Sequence, residues 1–291
     1  MLRSLLFIPG NNPNMIQNAD VFGADGIIFD LEDSVNVVEK DNARVLIKNY
    51  LALPSLFSGL IVIRINGENS PYFEDDLESM VCDQIDTIML PKARIDSIIK
   101  LDKILSSIEK KKNLKKVIGI IPIIEEASSV LEVDTIASLN RVNGLLLGAE
   151  DLCSDLEIPR TKEGREIEYA RSKVIMACKA YKIDSIDTPF TDVIDDEGFM
   201  RDAKNACLLG MTSKAAIHPR HIEGINSVFS PSEESILWSM KILEGEKKAK
   251  EKGLGVFSLD GKMIDKPIIE RASKIIEKAS KYNLMRKYNE K

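Results

Sequence analysis

The sequence predicts a closed (β/α)8 barrel, and two observations support this prediction. Eight short apolar runs are spread through the first three quarters of the chain, and segments with helical spacing lie between them. A strand buried on both faces is apolar throughout, and strands that alternate with helices form a parallel sheet. Eight is the number of parallel strands that closes such a sheet into a barrel, whose active face lies at the carboxyl ends of the strands.

The predicted strands are four to eight residues long and have turn signals at their edges. We place them at Ser4–Pro9, Gly26–Asp30, Leu60–Ile65, Thr87–Leu90, Val117–Ile124, Gly144–Leu147, Asp184–Asp187 and Lys214–Ile217. Helical spacing is clearest at Ile98–Ile108 and Glu166–Tyr181. A doubly wound open sheet is the alternative fold. It is disfavoured because the G-x-G-x-x-G turn that is usual there follows none of the runs.

The chain is longer than an eight-stranded barrel requires. We expect residues 1–229 to form the barrel and residues 230–291 to form a helical extension, which serves as a lid or an oligomerisation element. Ser230 is the expected N-cap of the first helix of this extension, which should run to about Lys252. A glycine-punctuated stretch follows, and a last helix is expected to begin near Pro267.

Composition excludes several classes of function. A net charge of −6 argues against a nucleic-acid-binding protein, which usually carries a basic face. No apolar run approaches the roughly 18 residues that span a bilayer, and the N-terminus lacks a secretory signal, so we expect a cytoplasmic protein with no membrane contact. The four cysteines are far apart and form no C-x-x-C pair, which favours reduced core thiols.

Arg64 is the first candidate for chemistry. It ends the third apolar run, and an arginine in such a run is rarely buried without a partner. Its guanidinium can grip a carboxylate at two points, so we expect it to bind an anionic substrate. The alternative is a structural ion pair with the acids that follow the second strand.

Two carboxylates end neighbouring strands and form a candidate metal site. Glu125 follows the fifth run, and Asp151 follows the sixth. Because like charges repel at close range, a cation between them is expected. Hard oxygen ligands favour Mg2+, which fills its remaining positions with water and substrate oxygens. Glu126 and Glu150 could be mistaken for these ligands, and helix capping is the alternative role for the pair.

Three further acids crowd the end of the second strand. Asp30, Glu32 and Asp33 are expected to hold water near the metal and to pair with Arg64 or Lys40. Capping of the following helix is the alternative.

The only histidines, His218 and His221, lie after the eighth run. We expect contact with substrate or cofactor there rather than metal binding. The sequence contains no G-x-S-x-G, Walker A or H-E-x-x-H motif, which disfavours serine hydrolases, P-loop enzymes and zinc proteases.

Seven motifs resemble the citrate lyase β-subunit family in sequence and order. They are Leu6–Asn11 (LFIPGN), Phe29–Val35 (FDLEDSV), Glu39–Arg44 (EKDNAR), Val62–Asn66 (VIRIN), Leu90–Lys92 (LPK), Leu147–Asp151 (LGAED) and Gly261–Asp265 (GKMID). The resemblance runs from Leu2 to about Ala272. It implies an often trimeric Mg2+-dependent carbon–carbon lyase on a (β/α)8 barrel, which acts on 3-hydroxy-acyl thioesters.

The resemblance also assigns roles. It places the substrate arginine at Arg64, the metal carboxylates at Glu125 and Asp151, and a C-terminal aspartate that reaches a neighbouring subunit's site at Asp265. We expect Asp265, Glu32 and Asp33 to act beside Arg64 in catalysis. Substrate contacts are further expected from three residues in the matching motifs, Pro9, Gly10 and Lys92.

The implied reaction is a retro-Claisen cleavage of citryl-acyl carrier protein, whose thioester is carried on phosphopantetheine, to oxaloacetate and an acetyl thioester. Expected partners are the γ acyl carrier protein, the α transferase subunit and further copies of the chain in a trimer or hexamer. His218 and Leu152 depart from the β-subunit pattern. A citramalyl- or malyl-CoA lyase with the same site is therefore the alternative, and a non-catalytic scaffold subunit is a third hypothesis.

Overall fold

The computed structural model describes residues 2–54, 57–251 and 253–285. Eight parallel strands of this part of the chain form a closed barrel in sequential order, with β8 hydrogen-bonded to β1. The strands are β1 (Ser4–Pro9), β2 (Gly26–Asp30), β3 (Leu60–Arg64), β4 (Thr87–Leu90), β5 (Gly119–Ile124), β6 (Gly144–Leu147), β7 (Asp184–Asp187) and β8 (Ser213–Ala216). The predicted (β/α)8 fold is confirmed.

Helices connect the strands and continue beyond the barrel. They are α1 (Pro13–Gln17), α2 (Lys40–Ala52), α3 (Phe73–Met80), α4 (Ile95–Lys112), α5 (Ala127–Leu131), α6 (Val133–Ser138), α7 (Ala149–Asp155), α8 (Glu168–Tyr181), α9 (Asp196–Leu209), α10 (Ile222–Phe229), α11 (Glu233–Glu251) and α12 (Lys266–Lys281). None of the described helices combines the length and apolar character needed to cross a bilayer.

Three of the predicted strands have bounds that were wrong by one or two residues. β3 ends at Arg64 rather than Ile65. β5 begins at Gly119 because Val117 is exposed and the backbone N–H of Ile118 binds the Glu109 carboxylate instead of a neighbouring strand. β8 covers Ser213–Ala216. It begins at Ser213 because this residue pairs with Ile186 of β7, and it ends before Ile217, which is 44% exposed.

The barrel interior is filled by apolar side chains from all eight strands, as expected for this fold. One buried cluster contains Leu5, Ile28, Val62, Met89, Ile121, Ile123, Leu146, Ile186 and Ala215. Because the strands are parallel, residues at their carboxyl ends meet at the same end of the barrel. This end carries Asp30, Arg64 and Asp187, with Glu125 immediately after β5.

The chain divides into two compact units, the first ending at Asn226 and the second beginning at Ser227. In the second unit α11 packs against α12 around a small core of Ile242, Ile264 and Ala272. Its predicted helices are confirmed, although Ser232, not Ser230, caps α11 by accepting a hydrogen bond from the Ser235 backbone. The predicted end of α11 at Lys252 lies outside the described residues.

The second unit also contains a β-hairpin that the sequence analysis missed. Strands β9 (Phe257–Leu259) and β10 (Lys262–Ile264) pair in antiparallel fashion. Asp260 and Gly261 form the two-residue turn, both with positive φ of 49° and 78°. Asp-Gly is a strong signal for this turn type, so the hairpin was predictable.

Candidate active site

Arg64 lies at the carboxyl end of β3, directly beside Asp30 of β2 in the barrel register. Its Nε and Nη2 atoms each donate to one oxygen of Asp30 at 2.6 Å, and its Nη1 lies 2.8 Å from Glu32 Oε2. Burial would lower the pKa of Arg64, but these carboxylates raise it above its usual value. The guanidinium also lies over the Phe7 ring, 5.1 Å from its centroid. Arg64 is therefore a charged group with a fixed orientation.

The acids after β2 have different environments. Burial would raise the pKa of Asp30, but the hydrogen bonds and charge of Arg64 lower it. Burial raises the pKa of Glu32 to about 7. The charge of Arg64 lowers this pKa, whereas the charges of Asp33 and Asp30 raise it further. Asp33 is mostly exposed and lies 3.8 Å from Arg64 Nη1.

Lys40 does not form the ion pair with these acids that the sequence allowed. Its buried ammonium donates instead to the backbone carbonyls of Leu31 and Glu32, each at 2.7 Å. Lys40 therefore holds the backbone after β2 in place, and the carboxylate of Glu32 stays with Arg64.

Glu125 is 4% exposed and lies immediately after β5. Its Oε1 accepts a hydrogen bond of 2.5 Å from the backbone N–H of Lys92. Lys92 has φ of 46°, a left-handed conformation that is uncommon for a residue with a side chain. Burial raises the pKa of Glu125 to about 8, the Lys92 N–H opposes this, and the charges of Asp151 and Glu32 add to it.

Asp151 lies in the first turn of α7, and its exposed carboxylate receives no hydrogen bond from the described residues. The charge of Asp151 helps to raise the pKa of the Glu125 carboxyl. Gly148, the residue directly before α7, lies against the Glu125 side chain. A Cβ atom there would be 2.7 Å from both the Cβ and the Oε2 of Glu125. Only glycine leaves room for the Glu125 side chain beside the start of α7.

The two neighbouring glutamates that could be confused with these ligands have other partners. Glu126 accepts hydrogen bonds from Arg94 at 2.8 and 3.1 Å. Glu150 is half-exposed and lies 3.5 Å from Arg160 Nε. Both are therefore surface ion-pair partners.

The predicted substrate contacts share this end of the barrel. Pro9 ends β1, and the Gly10 backbone N–H donates to the Asp30 carbonyl at 2.8 Å. A Cβ atom at Gly10 would lie 2.7 Å from that carbonyl oxygen, so Gly10 supports the end of β2. The side chain of Lys92 lines a groove of about 810 Å3, which also borders Glu32.

Asp265 belongs to the second unit, where it is the N-cap of α12. Its Oδ1 accepts a hydrogen bond of 3.3 Å from the Ile268 backbone. The role in catalysis that the resemblance implies for Asp265 stays a prediction.

The histidines have structural contacts. His218 Nδ1 accepts a hydrogen bond of 3.2 Å from the Arg220 backbone. His221 is 1% exposed and stacks on Phe199 with 4.1 Å between ring centroids. In the described part of the chain no group of three or more His, Cys, Asp or Glu side chains could hold a metal by itself. Cys82, Cys153 and Cys178 are free thiols.

The sequence analysis missed a buried cluster of four charged residues beside β7. Arg171 and Lys214 bind Asp187 and Asp202 through five hydrogen bonds of 2.6 to 3.0 Å. Each of the four side chains is at most 2% exposed. Lys214 lay within a predicted strand, and a charged residue in a buried strand was the signal that could have identified the cluster.

Comparison with known proteins gives a consistent result. Residues 3–219 match the family described as HpcH/HpaI aldolase/citrate lyase. The citrate lyase subunit beta of Leuconostoc mesenteroides subsp. cremoris is 37% identical over 288 residues, which cover 97% of this chain and 95% of the relative. The L-malyl-CoA/beta-methylmalyl-CoA lyase of Rhodobacter capsulatus is 31% identical, with 95% and 94% of the two chains covered.

A solved structure with a similar fold is CitE from Mycobacterium tuberculosis, crystallised in complex with magnesium, acetoacetate and coenzyme A. It is 27% identical to this chain, with a TM-score of 0.78 over 95% of this chain and 97% of the other.

Proposed function

Because the chain belongs to the HpcH/HpaI aldolase/citrate lyase family, we propose that it is a Mg2+-dependent lyase that cleaves citryl-acyl carrier protein to oxaloacetate and an acetyl thioester. The observation that carries this proposal is the position of three residues at the carboxyl end of the barrel: Arg64 ends β3, Glu125 directly follows β5, and Asp151 lies in the first turn of α7, which follows β6. This is the end at which barrel enzymes place their active sites.

Glu125 and Asp151 fit a magnesium ion. Both offer hard oxygen ligands, and Mg2+ is commonly held by one or two carboxylates together with water and substrate oxygens. The raised pKa of Glu125 reflects burial and the repulsion from Asp151 and Glu32, which a bound cation would relieve. When bound, the ion would act as a Lewis acid that lowers the pKa of the substrate hydroxyl and stabilises the developing ketone.

Arg64 would bind a carboxylate of the substrate. A guanidinium has five N–H donors, and the contacts to Asp30 and Glu32 use three of them. Two donors remain for a planar carboxylate. Because Asp30 and Glu32 fix the guanidinium before substrate arrives, little reorganisation is needed on binding.

The reaction breaks one carbon–carbon bond. A base removes the hydroxyl proton, the C–O bond becomes a carbonyl, and the electrons of the broken carbon–carbon bond pass to the acetyl thioester as an enolate. A proton then adds to the enolate carbon. Asp265, which the C-terminal extension carries, is the candidate for that transfer. Glu32 and Asp33 would orient water and hold Arg64.

A CoA-ester lyase with the same site is the second candidate. The 31% identity to an L-malyl-CoA/beta-methylmalyl-CoA lyase favours it, as does the sequence around His218. The 37% identity to a citrate lyase subunit beta supports the carrier-protein substrate. A cytoplasmic location, a trimer or hexamer, and assembly with γ carrier and α transferase subunits are part of the first proposal.

An assay with matched substrates tests the proposal. Purified protein with Mg2+ is given citryl-acyl carrier protein, citryl-CoA, citramalyl-CoA and malyl-CoA, and the oxo-acid product is measured. We expect oxaloacetate from the carrier-protein thioester at the highest kcat/KM. Higher kcat/KM with a CoA ester would establish the second candidate, and no cleavage of any thioester would contradict both.

A further inference from the structure

Asp151 lies in the first turn of α7, and the start of this helix is held by a residue that follows β7. Ala149, the first residue of α7, donates its backbone N–H to Thr188 Oγ1 at 3.3 Å. The first N–H groups of a helix have no partner within the helix, and Gly148 has no side chain with which to cap them. Thr188, which follows β7, supplies the missing acceptor.

Thr188 is itself fixed by the buried cluster of charged residues. Lys214 Nζ donates to the carbonyl oxygen of Thr188 at 2.6 Å, and also to Asp187 and Asp202 at 2.6 Å each. An ammonium group has three N–H donors, so each donor of Lys214 has one acceptor. Thr188 is 1% exposed, and solvent cannot replace either contact.

The backbone directly before α7 is also held, by the end of β5 next to Glu125. The Gly148 backbone N–H donates to the Ile124 carbonyl at 3.0 Å, directly before Glu125. The absence of a Cβ at Gly148 lets the Glu125 side chain lie against this backbone. The start of α7 is therefore held by β5 on one side and by Thr188 on the other.

From these contacts we propose that Thr188 is a positioning residue, which sets Asp151 relative to Glu125 through the start of α7. The inference rests on the proposed magnesium site. It also assigns a role to the buried cluster of charged residues, which takes no part in the reaction itself. The cluster fixes the threonine that anchors the metal-binding helix.

Calorimetric titration with Mg2+ alone tests this role without any assay of activity. Thr188→Val keeps the size of the side chain and removes the acceptor, and Thr188→Ser keeps the hydroxyl. We expect the Mg2+ dissociation constant to rise roughly tenfold or more in Thr188→Val, as for lost outer partners of metal ligands. In Thr188→Ser it should stay within about twofold of the wild type, since the hydrogen bond is retained.

Thr87→Val is the matched control. Thr87 is also a buried threonine whose hydroxyl accepts a hydrogen bond, from Asn143 at 3.1 Å, but it lies at the start of β4. Its loss should lower stability and leave Mg2+ affinity unchanged. Equal Mg2+ affinity in Thr188→Val and wild type would overturn the inference, as would equal weakening in Thr87→Val.

Two further results complete the test. If Thr188→Val does not fold, Thr188→Cys, whose sulfur is a weaker acceptor, is titrated instead, and wild-type affinity in that variant would overturn the inference. Absence of Mg2+ binding in the wild-type protein would contradict the proposed metal site itself, and with it the role of Thr188.

Discussion

Asp30 and Arg64 are direct neighbours on adjacent barrel strands, and the Asp30 carboxylate binds two nitrogen atoms of Arg64 at 2.6 Å each. The same carboxylate accepts backbone N–H groups of Glu32 and Ser34 at 2.9 and 3.2 Å. Of the two roles considered for Arg64 from the sequence, the structural ion pair is observed, and substrate binding is the role that we propose. The ion pair holds a guanidinium that still has donors for a substrate.

Arg64→Ala should lower kcat/KM by roughly a hundredfold or more, because a fixed donor at developing charge is typically worth about 3–4 kcal/mol. It should also destabilise the fold, since Asp30 would be left as a buried carboxylate without its cation. Steady-state kinetics and urea unfolding measure the two effects separately.

Arg141→Ala is the control for the stability effect. Arg141 also forms a largely buried ion pair, with Glu109 at 2.7 Å, but it lies before β6 at the opposite end of the barrel. We expect lower stability with nearly unchanged kcat/KM. Near-normal activity in Arg64→Ala would count against its assignment to substrate binding.

Glu125→Gln should weaken Mg2+ binding by more than about a hundredfold. Loss of an outer partner of a metal ligand costs up to about a hundredfold in affinity, and loss of a direct ligand should cost more. Glu126→Gln is the matched control, because the adjacent glutamate pairs with Arg94 instead. Titration calorimetry measures both variants, and chelation of divalent cations should abolish turnover in the wild type. Equal Mg2+ affinity in the two variants would place the metal elsewhere.

The strand ends of the barrel could be predicted from the sequence because a strand buried on both faces leaves a continuous apolar run. Asp30, Arg64 and Glu125 each end such a run, and parallel pairing alone brings them to one face. The partners of each side chain could not be predicted in the same way. Lys40 and Arg64 were equally plausible partners for the acids after β2, and only the path of the backbone decides between them.

Contacts between residues distant in sequence could not be predicted either. Thr188 and Ala149 are 39 positions apart, and their hydrogen bond depends on the packing of β7 beside α7. The Asp260-Gly261 hairpin was a different case. Its signal, an Asp-Gly pair between two apolar segments, is local and present in the sequence.

Gly148→Ala should lower Mg2+ affinity and activity together, by roughly tenfold or more, because a Cβ atom would lie 2.7 Å from two atoms of the Glu125 side chain. Its φ of −92° suits alanine, so the effect would be steric rather than conformational. Gly67→Ala is the control at the same end of the barrel, where the nearest atom to a new Cβ is 3.9 Å away. If both variants bind Mg2+ like the wild type, the close approach of Gly148 to Glu125 has no role in metal binding.

Glu166→Gln should destabilise the protein at neutral pH by on the order of 1 kcal/mol, a value reduced for solvent screening. Burial would raise the pKa of Glu166, but hydrogen bonds from Thr161 and Arg160 lower it to about 2. A lowered pKa stabilises the folded state above the ordinary glutamate pKa of 4.5, and this contribution is lost as the pH falls from there towards 2. The difference in unfolding free energy between wild type and Glu166→Gln should therefore shrink from pH 7 to pH 3 in urea titrations. Glu163→Gln removes an exposed glutamate from the same loop and is the control for the loss of one negative charge. A difference that is constant with pH would contradict the lowered pKa.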